Sequence, residues 1–212
     1  MPSTLVHVAV AGLVGTALLG HAVDRRSAAV VLAAGAVPDL DTFVGLYVVG
    51  AHRALFHTLL LPALLAAVLA YETRRRPTSA LRERYGDRGV RVAWVAVVAL
   101  VVGGVLPDLM TNGVNALYPL HDRFYTFDGK ILLSNRRGLV QTFVDLSADE
   151  PVRNTSNFGY YTGVDPVPSS SGAETGRSVE RVFPVVRSGT QLLLVVAGFG
   201  TLGARVWEAE RR

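Results

Sequence analysis

Apolar residues fill long blocks of this chain, and within each block they occupy every helical face rather than a single stripe. The blocks are 5–20, 28–50, 54–71, 91–110 and 189–206. A helix that is apolar all round is buried in a large core or in a membrane, and about 20 residues are needed to cross the hydrocarbon layer. The pattern therefore predicts an all-α integral membrane protein with about five transmembrane helices.

The second block is interrupted by Pro38-Asp39-Leu40-Asp41. Proline removes a backbone donor and clashes with the preceding turn, so this sequence predicts a broken helix. Non-helical backbone at membrane depth is tolerated only where protein or a water-filled cavity surrounds it. Two carboxylates at such a break favour a polar site, and in an extended segment both would face one cavity. The alternative is a simple turn in which Asp39 caps the helix that follows.

The stretch between the fourth and fifth blocks is more polar than the rest. Residues 123–134, with Asp128-Gly129 near their centre, predict a β-hairpin. Residues 147–180 are rich in Ser, Pro, Gly and charge, and we expect them to be partly disordered. The predicted organisation is a helical metal-site domain in the membrane, an extracytoplasmic region, and a last transmembrane helix with a short cytoplasmic tail: 1–120, 121–187 and 188–212.

Basic residues are concentrated between the third and fourth blocks, in a chain with 21 Lys and Arg against 17 Asp and Glu. The cluster comprises Arg74, Arg75, Arg76, Arg82, Arg84, Arg88 and Arg91. Such a cluster between two spans is the positive-inside signal. It predicts a multi-pass inner-membrane protein with the amino terminus outside, the carboxyl terminus in the cytoplasm, lipids as its surroundings and no nucleic-acid partner. An RNA- or lipid-binding patch stays open as the alternative.

Several ionisable residues lie inside or at the ends of the apolar stretches, where each costs about 2.5–3.5 kcal/mol on insertion scales. They are His7, Asp39, Asp41, His52, His57 and Asp108. The chain has no cysteine, so disulfides and thiolate ligands are excluded. Histidine and carboxylate together are a ligand set for zinc or a similar divalent cation. In the predicted orientation four of the segments deliver these residues to the outer leaflet, and we expect a metal site there.

The segment from His52 to His57 is harder to interpret. A spacing of five does not place both imidazoles on one helical face, so they converge only if His52 lies on a turn and His57 on the helix. Arg53 has a planar guanidinium group, which can bind a phosphate or carboxylate group through two N–H donors. An interfacial polar cluster would explain the same residues. Asp108 would also fit a helix-end turn, and His7 alone would fit a packed core histidine.

Taken in order, these motifs resemble the YdjM-like inner-membrane proteins. The resemblance lies in His7, Pro38-Asp39-Leu40-Asp41, His52-Arg53-x-x-x-His57-Thr58 and Asp108-x-x-Thr111-x-Gly113, and it covers roughly residues 1–120. That family is described as metal-dependent hydrolases and looks distantly similar to zinc-dependent phospholipase C and the single-strand-specific zinc nucleases. The resemblance implies a ligand set of His7, Asp39 and/or Asp41, His52, His57 and Asp108.

Two positions depart from the family pattern. The family usually carries a histidine four residues before the Asp108-type position, where this chain has Gly104. The first histidine of the family usually follows a threonine directly, whereas Thr4 precedes His7 by three residues here. The first departure bears on how many metal ions the site could hold.

The function expected from these observations is membrane-bound, metal-dependent hydrolysis of a phosphoester or lipid-type substrate near the outer face. Bound zinc would activate water and polarise the oxygen under attack. In this hypothesis Asp41 or Asp39 accepts the proton of the water, and Arg53 holds an anionic group. The alternatives are a non-enzymatic protein that binds or transports a divalent cation, and a catalytically inactive family member.

Overall fold

The structure, a computed structural model, describes residues 2–48, 50–143, 152–160 and 183–211. These residues form a mostly helical protein with one small antiparallel sheet. The helices are α1 (Thr4–Leu18), α2 (Arg25–Ala36), α3 (Asp41–Gly45), α4 (Leu60–Arg74), α5 (Ala80–Ala99), a π-helical turn (Leu100–Val105), α6 (Leu106–Leu109) and α7 (Gly189–Glu210). The strands are β1 (Ile131–Ser134) and β2 (Gly138–Gln141).

Helix α1 packs against α2, α5 with its π-helical turn, and α7, and it does so at glycines. A Cβ at Gly35 of α2 would lie 2.5 Å from the Cβ of Ala11, and one at Gly103 would lie 2.8 Å from the Ala11 nitrogen. A Cβ at Gly198 of α7 would overlap the carbonyl of Ala9. Small residues let helix backbones approach closely where lipid removes the hydrophobic drive for association. This close approach brings the carbonyl of Gly103 within reach of α1.

Replacing Gly198 with alanine is expected to lower the stability of the protein, because the new methyl group would meet the α1 backbone. Overpacking of this kind costs about 1–3 kcal/mol. Gly200→Ala in the same helix is the matched control, since a Cβ there meets nothing within 4 Å, and alanine is the better helix former. Thermal unfolding in detergent measures both variants. Equal stability of the two would show that α1 and α7 do not approach as closely as described.

The structure offers fewer candidate membrane spans, among the residues it describes, than the five that the sequence predicts. Within the described residues, Ala80–Leu109 and Gly189–Glu210 are long and apolar enough to cross a membrane. The pair Arg25–Ala36 and Pro38–Gly45 makes a third if it is counted as one bent span, and α1 is a shorter apolar helix. The prediction of five spans is therefore not confirmed. The third apolar block falls short because its first residues, before Leu60, form turns rather than helix.

The break predicted in the second block is present. Helix α2 ends at Ala36, Pro38–Leu40 form a short 3-10 turn, and α3 leaves at an angle of 49°. The Asp39 side chain does not cap α3, whose first turn has no side-chain cap. The capping interpretation of Asp39 is therefore wrong, and its carboxylate instead accepts a hydrogen bond from the hydroxyl of Thr4 in α1.

The π-helical turn in the long helix α5–α6 lies beside this break. A Cβ at Gly104 would lie only 2.6 Å from Cγ of Pro38. Position 104 thus has no room for any side chain on this backbone, and the close contact brings the bend in α2–α3 against α6. Wide turns of this type often accompany functional sites, because they redirect carbonyls and side chains.

The arginine-rich segment is largely helical rather than a loop. Arg82 to Arg91 belong to α5, which Ser79 caps by accepting a hydrogen bond from the Arg82 nitrogen at 3.1 Å. Non-helical backbone at Gly86, with φ 66°, interrupts the helix. After this interruption α5 continues through the π-helical turn into α6, so Arg88 and Arg91 lie at the opposite end of this stretch from Asp108.

A β-hairpin is present in this region, but the predicted bounds of 123–134 and the predicted turn at Asp128-Gly129 are wrong, because the strands are Ile131–Ser134 and Gly138–Gln141. Leu132 pairs with Val140 in antiparallel register, and residues 135–137 form the turn. Gly138 has φ 65°, as in three-residue hairpin loops that end on a left-handed glycine. Gly129 instead lies against Phe143, where an added Cβ would come within 2.7 Å of the Phe143 nitrogen.

Most of the segment predicted to be disordered, residues 147–180, lies outside the described residues. The part that is described, 152–160, is a compact turn rather than a loose loop. The side-chain oxygen of Asn154 accepts hydrogen bonds from the backbone nitrogens of Ser156 and Asn157, at 3.0 and 3.1 Å. The backbone nitrogen of Phe124 donates to the carbonyl of Arg153 at 2.8 Å.

Candidate metal centre

His7 lies on α1 with its side chain fully buried, and its two ring nitrogens have different surroundings. Nδ1 lies 2.8 Å from the carbonyl oxygen of Gly103, to which it can only donate. That bond leaves the lone pair on Nε2, a buried atom with no hydrogen-bond partner among the described residues. Nε2 lies 3.7 Å from Oδ2 of Asp108 and 3.9 Å from Oδ1 of Asp39.

His57 repeats this arrangement from the turn before α4. Its Nδ1 lies 2.8 Å from Oδ2 of Asp41. Its Nε2 lies 3.0 Å from Oδ2 of Asp108 and 3.8 Å from Oδ1 of Asp39, but forms no well-directed hydrogen bond within the described part of the chain. Metal-ligating histidines typically donate their other N–H to a carbonyl or carboxylate. Both imidazoles are thus held as such ligands are.

The donor atoms of His7, Asp39 and Asp108 all lie within 4.8 Å of one another, and His57 faces the same two carboxylates. Two imidazole nitrogens and two carboxylates match the four-coordinate nitrogen and oxygen sites of zinc. Unpartnered buried polar atoms need an explanation, and a cation between these groups would satisfy both Nε2 atoms. The residues present therefore fit a divalent metal.

Asp41 lies behind this group rather than in it. Its carboxylate is fully buried and accepts from His52 at 2.8 Å, His57 at 2.8 Å and the backbone nitrogens of Arg53 and Phe56 at 3.0 and 3.4 Å. The expectation that Asp39 and Asp41 face one cavity required an extended chain. The 3-10 turn instead sends the two carboxylates to different neighbours, and Asp41 orients the His52–His57 segment.

His52 and His57 both form hydrogen bonds with the carboxylate of Asp41. The sequence required His57 to lie on a helix for the two imidazoles to converge, but both residues precede α4. Nδ1 of His52 is also 3.0 Å from Oγ1 of Thr42, and the His52 ring is edge-on to Tyr160 at 6.3 Å. His52 is not a member of the group of atoms that lie within 4.8 Å of one another. The structure therefore places this predicted ligand in the layer behind the carboxylates.

Arg53 is fully buried and has a left-handed backbone, with φ 63°. One terminal nitrogen donates to Oδ1 of Asp108 at 2.5 Å, and the other donates to the carbonyl of Gly113 at 3.3 Å. The guanidinium also lies 4.4 Å from the ring centroid of Tyr160. Its charge is thus directed at a carboxylate of the site, and not at the open surface where an anionic substrate would arrive.

The turn 152–160, which we call the strap, covers Arg53 and His52. Tyr160 donates from its hydroxyl to the carbonyl of Asn112 at 2.5 Å. Asp122 anchors the strap, accepting from the backbone nitrogen and hydroxyl of Thr155 at 3.0 and 2.6 Å. Burial raises the pKa of Asp122, but these hydrogen bonds and one from Asn115 outweigh it and hold the pKa below the usual 3.8. Nothing in the spacing of this polar stretch marked it as part of the site.

The structure thus brings together His7, Asp39, His57 and Asp108, with Asp41, His52 and Arg53 packed behind them. The side chain of Asp39 is partly exposed, at 18%, whereas those of His7, His57 and Asp108 are 1% exposed or less. The buried cluster of imidazoles and carboxylates lies between α1, the break after α2, the turn before α4 and the end of the apolar helix Ala80–Leu109, which is long enough to span a membrane. These features define a helical membrane protein with a candidate metal centre.

The chain belongs to a family that fits this class. The family model described as YdjM inner membrane protein matches residues 1–161, about three quarters of the chain. The match extends past α6 through the hairpin and the strap, further than the motifs alone indicated, and ends before α7. No curated protein and no solved structure matches the chain.

Proposed function

We propose that the protein is a membrane-bound, metal-dependent hydrolase of a phosphoester or lipid-type substrate. One observation carries the proposal. Two buried imidazoles have Nδ1 bonded and Nε2 directed without a hydrogen-bond partner, among the described residues, at the carboxylates of Asp39 and Asp108. Buried polar groups in a membrane protein are expensive and mark functional sites. His7, His57, Asp39 and Asp108 would hold the cation, with zinc the best match to the donor set.

The chemistry that bound zinc supplies is a Lewis acid that polarises the oxygen under attack and lowers the pKa of water to about 7. Around it, each residue has a defined task. Gly103 and Asp41 fix the imidazole tautomers, and Arg53 holds Asp108 in place. The oxygens of Asp41 are occupied by donors, so the proton of the attacking water would go to Asp39. Its Oδ1 faces the two imidazoles and would hold the cation, and its Oδ2, which accepts a hydrogen bond from the hydroxyl of Thr4, would take the proton. In a phosphoester the bond between phosphorus and the leaving oxygen would then break, and the proton held by Asp39 would pass to that oxygen, which completes hydrolysis.

The topology that we propose keeps five spans and places the site near the outer face, with the amino terminus outside and the carboxyl terminus in the cytoplasm. The support is the position of the charges. Arg82 and Arg88 lie at the start of the long helix and Asp108 lies at its end. By the positive-inside rule the arginine end is cytoplasmic, which puts the metal centre within reach of lipid headgroups in the outer leaflet.

The test uses full-length protein in lipid nanodiscs, loaded with zinc and assayed for hydrolysis of a nitrophenyl phosphodiester and of a short-chain phospholipid. Asp39→Asn should lower the rate by at least about 10²–10⁴-fold, the usual contribution of a general base, because it also weakens a ligand of the cation. Asp87→Asn is the matched control, because that carboxylate is 89% exposed at the far end of α5, and it should retain full activity.

The outcomes separate this proposal from its rivals. Metal bound without hydrolysis of either substrate would reject the enzyme and leave a protein that binds or transports a divalent cation, or an inactive family member. Hydrolysis by Asp39→Asn at the rate of the unsubstituted protein would show that the activity belongs to another site. Failure of the unsubstituted protein to bind any divalent cation would reject both the hydrolase and the cation-binding or transport protein.

A further inference from the structure

The hairpin of β1 and β2 has an apolar face on which none of the residues that the structure describes is packed. Ile131 and Leu133 are alternate residues of one strand, and Leu139 pairs with Leu133 across the sheet, so all three project from the same face. Their exposed fractions are 64%, 86% and 72%. An isolated two-stranded hairpin is marginally stable in water. Exposure of these apolar side chains to water makes this hairpin still less favourable in an aqueous environment.

The hairpin begins at the end of a membrane span. The backbone nitrogen of Phe127 donates to the carbonyl of Leu109 at 2.8 Å, and Leu109 is the last residue of the span Ala80–Leu109. Phe127 also stacks on Phe143, with ring centroids 4.9 Å apart, which closes the base of the hairpin. A hairpin tied to the last residue of a span starts at the level of the membrane interface.

All the charged residues of the hairpin segment 129–143 are basic. Lys130 stands before β1, and Arg136 and Arg137 form the turn; all three are exposed. No acidic residue occurs between residues 129 and 143. A short amphipathic element with an apolar face and flanking basic residues is the usual form of a segment that lies in the membrane interface, where basic side chains reach the lipid phosphates.

We propose that the hairpin is a membrane-interface anchor beside the metal centre. Ile131, Leu133 and Leu139 insert among the acyl chains of the adjacent leaflet, and Arg136 and Arg137 bind lipid phosphate groups. A second copy of the chain is the less favoured occupant, because pairing two hairpins would bring like charges together. The anchor holds the loop 113–127, and with it the strap's partner Asp122, against the membrane surface. This inference does not depend on the presence of a metal.

The absence of cysteine allows a single nitroxide label at any chosen position. Leu133→Cys, labelled and placed in nanodiscs of phosphatidylcholine and phosphatidylglycerol, reports its surroundings through collision with oxygen, which enriches in lipid, or with a water-soluble nickel complex. Leu193→Cys is the lipid control, since Leu193 is 67% exposed on the spanning helix α7. Arg75→Cys, exposed at the end of α4, is the aqueous control.

We expect the label at position 133 to resemble the one at 193, and to shift toward the one at 75 when Arg136 and Arg137 are both replaced by glutamine. A label at 133 as accessible to nickel as the one at 75 would overturn the proposal. Dipolar broadening between labels on two copies would also overturn it, in favour of a dimer. Leu139→Cys repeats the measurement on the other strand, so that failure of one variant to fold leaves the test intact.

Discussion

Replacing His7 with asparagine is expected to leave the protein folded but unable to hold a stoichiometric divalent cation. The asparagine amide reaches the position of Nδ1, so it can still donate to the carbonyl of Gly103, which lies 2.8 Å from Nδ1 in the native site. Only Nε2, the atom directed at Asp39 and Asp108, is removed. Affinity should fall by more than the roughly 10–100-fold that loss of an outer-shell partner costs.

Elemental analysis of protein purified from zinc-supplemented cells, followed by competition with a chelator, measures this effect. His21→Asn is the matched control, because His21 is exposed in the short turn Gly20–Ala22, beyond the other end of α1. If His7→Asn retains the zinc content and affinity of the unsubstituted protein, His7 is a packed core histidine and the ligand assignment fails.

Asp41→Asn is expected to weaken metal binding about 10–100-fold without abolishing it. The native carboxylate accepts from two imidazoles and from the backbone nitrogen of Arg53. An asparagine amide would present its own N–H groups to at least one of these donors, leaving a buried group unsatisfied at about 1–3 kcal/mol. His57 would then lose its fixed orientation, and the stability of the fold would fall with it.

The decisive measurement is the stoichiometry of Asp41→Asn at saturating zinc, with Asp87→Asn as the surface control. Full occupancy reached at a higher zinc concentration would identify Asp41 as a positioning residue. Loss of binding at every concentration would show that Asp41 is itself a ligand, as the spacing of Asp39 and Asp41 first indicated. Unchanged affinity would contradict both roles.

The elements of the site that sequence reasoning found share one property: each is an ionisable residue in an apolar surrounding. His7, Asp39, His57 and Asp108 stand out on that criterion alone, because their cost in a membrane demands a reason. The break at Pro38 was equally visible, since proline has fixed geometric consequences. Family membership, predicted from the same motifs, is confirmed by the match over residues 1–161.

The sequence could not predict which of these residues face the cation site and which hold the other side chains in position. Whether Asp41 faces the metal or the imidazoles depends on a 3-10 turn instead of an extended chain, and both are compatible with Pro38. Arg53 was expected to hold a substrate anion, but its buried pairing with Asp108 joins residues 55 positions apart. The strap was missed because Tyr160 stands in a polar stretch with no periodic pattern, and only the tertiary contact with Arg53 reveals it.

The wide turn at Leu100–Val105 has a consequence for the length of the helix that contains it. Each residue in an α-helix advances the azimuth by about 100° and the axis by 1.5 Å. A single-residue deletion there that restored regular winding would swing Asp108 away from His7 and shift its depth. Homologous chains should therefore vary in the exposed side chains of this helix, yet tolerate neither insertion nor deletion between the wide turn and the aspartate.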